Sequence, residues 1–447
     1  MLRSTNATGP AREGAAPRLL AAFEGVLGIA LPVHVCCWDG SEAGPDDGVT
    51  MVFRCRRALR HVLWSPNELG LVRAYVSGDL DVEGDLFGLL SLPGLVDSLG
   101  SRSLRRLSGR ATRKGVWTFL RLGGVGMRPR PPAVELPPTR GGKHRRARDA
   151  ASVSHHYDVG NDFYRLLLGP TMVYSCGYWG RGERGTLDEA ERDKMDLICR
   201  KLGLHPGMRL LDVGCGWGSM ALHAAQTYGI SVVGVTLSHA QLEWGRARVA
   251  EAGLEDRVQI RLQDYREIDD GPYDAISSIG MAEHVGNSAL PGYAAKMMSL
   301  LRPQGRLLNH AIASVRPLAG HGGQQSPFIQ RYIFPDGEIL PLSRTIDVLE
   351  RAGFEVRDCE ALREHYGLTL RAWVQALRDS WDDAVRLVGE QRARTWLLYL
   401  ASCALTFEAN GQLTIHQVLA VRQDDEGSSG LPRTRAEWLS PQMSSTS

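Results

Sequence analysis

The chain lacks the features that would place it in several broad classes. Its eight cysteines, at 36, 37, 55, 176, 199, 215, 359 and 403, include no Cys-x-x-Cys pair. That excludes a zinc knuckle or redox dithiol of this pattern, and free thiols in a reducing cytoplasm fit best; no metal is expected. Long apolar runs are missing too: the most apolar stretch, Trp396 to Phe407, falls short of the roughly 20 residues a bilayer-crossing helix needs. The N-terminus shows no charged head followed by an apolar stretch and a small-residue cleavage site, so no secretory signal is expected. Charge of one sign is also absent, because 52 Lys and Arg nearly cancel 50 Asp and Glu to leave +2, which argues against a molecule that binds polyanions over its whole surface.

What is present suits a globular protein of more than one domain. The 447 residues exceed one ordinary domain, and 43% hydrophobic with 23% charged residues is ordinary soluble composition. Residues 1–17 read as a disordered tail. Strand-like pieces (Val33 to Trp38, Thr50 to Arg54) mixed with helical ones predict a small α+β domain over 18–122. Five prolines between Pro129 and Pro138 with adjacent glycines, then a basic cluster, describe an extended linker over 123–150. Over 151–422 strand-like runs alternate with longer helical patterns, the signature of a doubly wound α/β sheet covered by helices. Residues 423–447 read as a flexible tail. The basic residues thicken between Arg102 and Arg148, a stretch suited to an anionic surface.

The run Met208 to Gly218 is an apolar strand followed by three alternating glycines and a helical pattern from Met220. Glycine admits positive φ and close ligand approach, and a helix N-terminus presents unpaired amides, so Gly214, Gly216 and Gly218 are ligand-facing candidates. Taken alone, the turn is equally compatible with a tight structural turn. Its pattern, Asp212-x-Gly-x-Gly-x-Gly, differs from the G-x-G-x-x-G of dinucleotide sites and resembles the first motif of class I methyltransferases. In that family the acid at the strand end sits near the methionine end of the cofactor, the place Asp212 occupies. The next strand ends in Thr236, where most of these enzymes carry an acid for the ribose hydroxyls; its hydroxyl and Gln241 are able to hydrogen-bond a ribose instead. Asp264, at the end of the third strand, stands where a carboxylate accepts from the adenine amino group, its alternative being a solvated strand end.

Three further segments narrow the reading: His155 to Tyr164 (HHYDVGNDFY), Tyr174 to Trp179 (YSCGYW) and Gly280 to Gly286 (GMAEHVG). With Gly234 to Ser238, Gln263 to Arg266 and Tyr332 to Gly337 they resemble the cyclopropane fatty acid synthase family in order and spacing, over roughly Ser152 to Val421. The resemblance implies a Rossmann-like sheet with a helical acyl-chain cap between Asn287 and Phe407. It implies S-adenosylmethionine held by Tyr174, Ser175, Asp212, Gly214, Gly216, Gly218, Thr236, Leu237, Gln241, Gln263, Asp264 and Tyr265. It further implies a bound bicarbonate as base, on Cys176, Glu283, His310, Tyr366 and the backbone of Ile312. Cys403 matches a cysteine often assigned to catalysis there, although it lies in an apolar helical run and reads equally as structural.

Methylating an isolated alkene makes a carbocation, which calls for aromatic faces and exclusion of water; Tyr157, Tyr174, Tyr178, Trp179 and Tyr366 are available, with core packing as their alternative. The implied partners are membrane phospholipids with unsaturated acyl chains, met at the inner face of the membrane by a cytoplasmic, peripheral protein; a homodimer is compatible with the sequence. Relatives that yield methylene or methyl-branched chains lose a different proton and lack the cysteine in Tyr-Ser-x, whereas this chain keeps Cys176. No nucleic-acid partner is expected: neither an Asn-Pro-Pro-Tyr type sequence nor a Pro-Cys dipeptide occurs, and a flipped base would need such a pocket.

Overall fold

The computed structural model describes residues 14–27, 30–46, 48–92, 115, 117–137, 159–315, 326–408 and 412–439. Residues 1–13 of the expected tail, the basic cluster Lys143 to Arg148 and Tyr157 lie outside them; the rest of that tail, expected to run to residue 17, instead enters the helix Ala15–Leu27 with Ala15 and Ala16 buried against the core. Contacts divide the chain into two compact units. The first takes Met1–Glu135 together with Ser326–Phe328 and Glu390–Leu398; the second takes the remainder.

In the first unit, β1 (Val33–Cys37), β2 (Glu42–Ala43), β3 (Val49–Phe53) and β4 (Leu80–Glu83) form a sheet of order β2-β1-β3-β4. The alternation of buried and half-buried residues along Val33–Cys37 and Val49–Phe53 is the period of two that sets one face of a sheet on a core. That face packs against the helices Ala15–Leu27 and Arg57–Trp64 through Leu19, Val33, Val35, Phe53 and Leu59. Sequence reading closed this unit at residue 122, and the structure extends it: Glu135 forms a bidentate pair with Arg73 at 2.7 Å, and Arg394 forks onto Asp81 at 3.0 and 3.1 Å. Charged partners so distant in sequence leave no periodic trace.

The second unit is built on β5 (Arg209–Val213), β6 (Ser231–Thr236), β7 (Val258–Leu262), β8 (Tyr273–Ile279), β9 (Leu301–Ser314), β10 (Leu340–Pro341), β11 (Glu355–Ala361) and β12 (Leu413–Val421). The order is β11-β12-β9-β8-β5-β6-β7, with β10 on β9. From β7 to β9 the strands are parallel, while β12 runs antiparallel between β9 and β11. Strand order reverses between β5 and β8, and ligands of open α/β sheets bind outside the carboxyl ends at such a switch point. Apolar clusters cover both faces: Leu210, Val232 and Ile260 contribute to one, Leu211, Val233 and Ile276 to the other. Adjacent residues of a buried strand serve opposite layers, hence its near-continuous apolar sequence.

The helix Leu187–Leu202 shows how local sequence sets an element. Thr186 and Glu189 close a capping box, Asp188 and Glu189 sit in the first turn, Arg200 and Lys201 in the last, and Gly203 ends it in the left-handed region. The segment from Gln423, expected to be a tail, is tied down instead: Arg435 approaches Asp358 and Glu360 at 3.4 and 3.3 Å, and Asp424 accepts the amides of Glu426 and Ser428. Polar turn residues read as disorder when the acids they meet lie far away in sequence. No helix of the described residues is long and apolar enough to cross a membrane.

Candidate functional site

One cavity of the second unit opens over the carboxyl ends of β5, β6 and β7 and continues beneath the helices Arg363–Asp379 and Glu390–Glu408, where Tyr366 and Tyr399 line it. It encloses about 1730 Å³ of non-atom space, its mouth included.

At the nucleotide end the lining includes Tyr174, Ser175, Asp212, Gly214, Gly216, Thr236, Leu237, Gln241, Gln263, Asp264 and Tyr265. Gly214 and Gly216 have φ of 73° and 55°, left-handed values that disfavour any side chain. A Cβ on Gly214 would strike the Met281 side chain, whereas one on Gly216 would meet nothing within 4 Å; the second is an open face. Gly218 does not line the cavity. With φ 81° it is the residue before the helix Ser219–Tyr228, and its Cβ position lies 3.7 Å from the Gly245 backbone; its glycine serves helix packing.

The polar groups here are partly committed to one another. Asp212 is buried, accepts from Ser277 Oγ at 2.7 Å and keeps Oδ2 unpartnered; burial pushes its carboxyl up to about 6. Thr236 and Gln241, expected on a ribose, hydrogen-bond each other at 2.7 Å. Asp264 accepts from the Arg266 guanidinium at 2.6 and 2.8 Å, so an adenine amino group there would share the carboxylate with it.

At the other end β9 contributes His310, opposite Ile279 of β8, and the helix Ala282–Leu300 contributes Glu283 in its first turn. His310 is fully buried with neither ring nitrogen partnered. Burial, then the charge of Lys194, holds its pKa well below the ordinary imidazole value, so it is neutral. Glu283 accepts the Ile312 amide on Oε1 at 2.7 Å and leaves Oε2 unpartnered. Burial raises its pKa to about 7 against the lowering effect of that amide. The Ile312 N–H, expected to meet an anion, is therefore engaged by Glu283. Tyr366 lines the cavity, packs at 4.7 Å on Phe407 and is held protonated by burial.

The two candidate cysteines stand behind the wall. Cys176 Sγ lies 3.2 and 3.7 Å from the carbonyls of Gly177 and Leu362, and burial, the largest influence on the thiol, raises its pKa. Cys403 does not line the cavity, and burial pushes its thiol up to about 12. Of the aromatic candidates, Tyr174 and Tyr366 face the cavity; Tyr178 stacks on His365 at 4.9 Å and Trp179 donates to Thr369 at 3.0 Å, both in packing roles.

Sequence reading missed Tyr399, whose hydroxyl is 3.4 Å from that of Tyr174, and Lys194, a buried cation of the lining. Tyr399 was absorbed into an apolar helical run. Lys194 carries a usable signal: it falls on the stripe Ala190, Glu191, Met195, Leu197, Ile198 that the helix Leu187–Leu202 buries.

Comparison with known proteins agrees with this geometry. A family model described as mycolic acid cyclopropane synthetase matches residues 144–418. A probable fatty acid methyltransferase of Mycobacterium tuberculosis is 41% identical over 414 residues, which span 90% of this chain and 93% of that one. The cyclopropane-fatty-acyl-phospholipid synthase of Escherichia coli is 38% identical over 272 residues, 61% of this chain and 68% of that one. The solved cyclopropane synthase MmaA2 of Mycobacterium tuberculosis superposes with a TM-score of 0.57 at 33% identity, covering 61% of this chain and 97% of that one. Mycolic acid cyclopropane synthase CmaA1, solved with S-adenosylhomocysteine and CTAB, gives 0.57 at 34% identity, with coverage of 61% and 97%. The chain therefore belongs to the mycolic acid cyclopropane synthetase family and is an S-adenosylmethionine-dependent methyltransferase of the doubly wound class I fold.

Proposed function

We propose that the protein adds one carbon to the cis double bond of unsaturated phospholipid acyl chains and closes it to a cyclopropane. The observation that carries the reading is the set of buried, unpartnered polar atoms, His310 Nδ1 and Nε2 and Glu283 Oε2, in the cavity that also holds Asp212 and the glycine turn. Buried polar groups are rarely left unsatisfied, and such groups gathered in one cavity suit a bound ligand or a catalytic role.

S-adenosylmethionine, when bound, supplies the electrophilic methyl group. The alkene would donate its π pair to that methyl as the carbon–sulfur bond breaks, releasing S-adenosylhomocysteine and leaving a carbocation; the base would then take a proton from the new methyl, whose C–H pair closes the ring. The faces of Tyr174, Tyr366 and Tyr399 stabilise the cation and keep water out. Bicarbonate, when bound, supplies the base. The donor set fits such an anion: neutral His310 donates from one ring nitrogen, the Tyr366 hydroxyl donates, and Glu283, poised near neutrality, accepts from its protonated oxygen. Cys176 acts from behind, packing the wall these groups stand on.

Lys143 to Arg148, outside the described residues, would bring the protein to anionic head groups at about 1 kcal/mol per basic residue. The protein then works at the inner face of the membrane from the cytoplasm.

A second reading retains the alkene by losing a different proton. It is favoured by two relatives called probable fatty acid methyltransferase, which align over 90% and 92% of this chain. Mass spectrometry of membrane fatty acids from a cyclopropane-free host expressing the protein, with derivatisation of double bonds to tell a ring from an alkene of the same mass, separates the two. Gain of one CH2 with loss of the derivatisable alkene is expected, and gain of CH2 with an alkene retained moves the assignment to methylene transfer.

A further inference from the structure

Of the cations in the cavity lining, Lys194 is the one that is nine-tenths buried or more. Its ammonium carries three donors and uses one, to Ser175 Oγ at 3.0 Å. No carboxylate of the described residues pairs with it. Glu191, one turn earlier on the same helix, bonds Thr171 instead, and Asp212 bonds Ser277. Buried ammonium groups are retained when something neutralises them and completes their hydrogen bonds. Across the same cavity end, Asp212 presents the complementary deficit, a buried acceptor oxygen without a donor.

A cation short of acceptors beside an anion short of donors is the receptor for an α-amino acid zwitterion, and binding one adds no net charge to the interior. The geometry points to Lys194 as the residue that holds the carboxylate of the cofactor's methionyl end, steadied by Ser175, while Asp212 takes its ammonium. This rests on the cofactor reading of the cavity and adds a binding residue to it. Burial lowers the pKa of Lys194 and nearby Glu191, Cys176 and Asp212 raise it. The ammonium faces Ser175 and Asp212 from the adjoining elements and Glu191 from its own, with His310 neutral on β9. A ligand carboxylate would favour the charged form further.

Calorimetric titration of Lys194→Met and the unsubstituted protein with S-adenosylhomocysteine and with 5′-methylthioadenosine, which lacks the amino-acid portion, tests the assignment. Loss of a charged hydrogen bond predicts S-adenosylhomocysteine weaker by about ten- to a hundredfold, with methylthioadenosine within about twofold, which also reports that the variant is folded. Equal weakening of both ligands, or of neither, overturns it. An unchanged S-adenosylhomocysteine affinity with a raised bicarbonate requirement would give Lys194 to the other anion. Should the variant not fold, the unsubstituted protein is titrated with decarboxylated S-adenosylhomocysteine, where the same loss is expected and full affinity overturns the assignment. Failure of the unsubstituted protein to bind S-adenosylhomocysteine at all would overturn the cofactor reading itself.

Discussion

Glu283→Gln separates the stability and activity roles of one buried carboxyl. In the folded protein Glu283 has its pKa raised from 4.5 to about 7, with burial the largest cause. A folded-state pKa above the unfolded value means the neutral form is favoured. The native state is at its best below the unfolded pKa and loses stability as pH rises through the folded one. The linkage relation gives a penalty of roughly 1 kcal/mol near pH 5.5 and roughly 3 kcal/mol above pH 8. Glutamine does not titrate, and its carbonyl still accepts the Ile312 amide, now 2.7 Å from Oε1. The variant therefore gains roughly 2 kcal/mol relative to the parent between those two pH values; the desolvated amide adds an offset that does not vary with pH. With two compact units, the relevant urea transition is the one S-adenosylhomocysteine shifts upward. Turnover should fall at every pH, because the one carbonyl oxygen of glutamine is taken by Ile312 and its NH2 cannot accept from the protonated oxygen of the anion. An equal stability difference at both pH values would refute the reasoning, since Glu283 would then ionise in the fold as it does in water.

Further expectations follow from the same geometry. His310→Ala should lower kcat by about 10- to 100-fold, the worth of a hydrogen bond to a charged group, with little change in S-adenosylhomocysteine affinity, and because His310 is already neutral, the variant's residual pH–rate limb near 7 should stay where Glu283 puts it. Cys403→Ala should keep kcat within about threefold, and the thiol, pushed up to about 12, should resist iodoacetamide at neutral pH; rapid loss of activity on alkylation would return it to the catalytic set. Tyr399→Phe removes a hydroxyl 3.4 Å from that of Tyr174 but keeps the ring, so kcat/KM for lipid should fall by about fivefold, the worth of one neutral hydrogen bond, while cofactor affinity holds.

Periodicity and glycine chemistry carried much of the fold. Strands Val33–Cys37 and Val49–Phe53 lie within a residue or so of the alternating runs, and the strand–glycine–helix run became β5 and its cofactor-facing turn. Local pattern does not report where a bond goes. Thr236 and Gln241 lie at the expected place yet bond each other, Ile312 donates to Glu283, and Cys176, though matching the family motif, turns its sulfur toward backbone carbonyls. Lys194 was legible in principle, because its position on the buried stripe is a matter of counting by 3.6; a lysine reads as surface unless the stripe is given priority over the residue type.

The ion pair between Asp81 and Arg394 also bears on the order of events at the ribosome. The partners are 313 residues apart, so at about 5–20 residues per second Asp81 emerges roughly 15–60 s before its guanidinium exists. The first unit is thus completed only once residues 390–398 have been made, and a fragment ending at Glu135 would lack the arginine. Nascent chains stalled before residue 390 should leave that sheet open to protease, and release past Leu398 should close it.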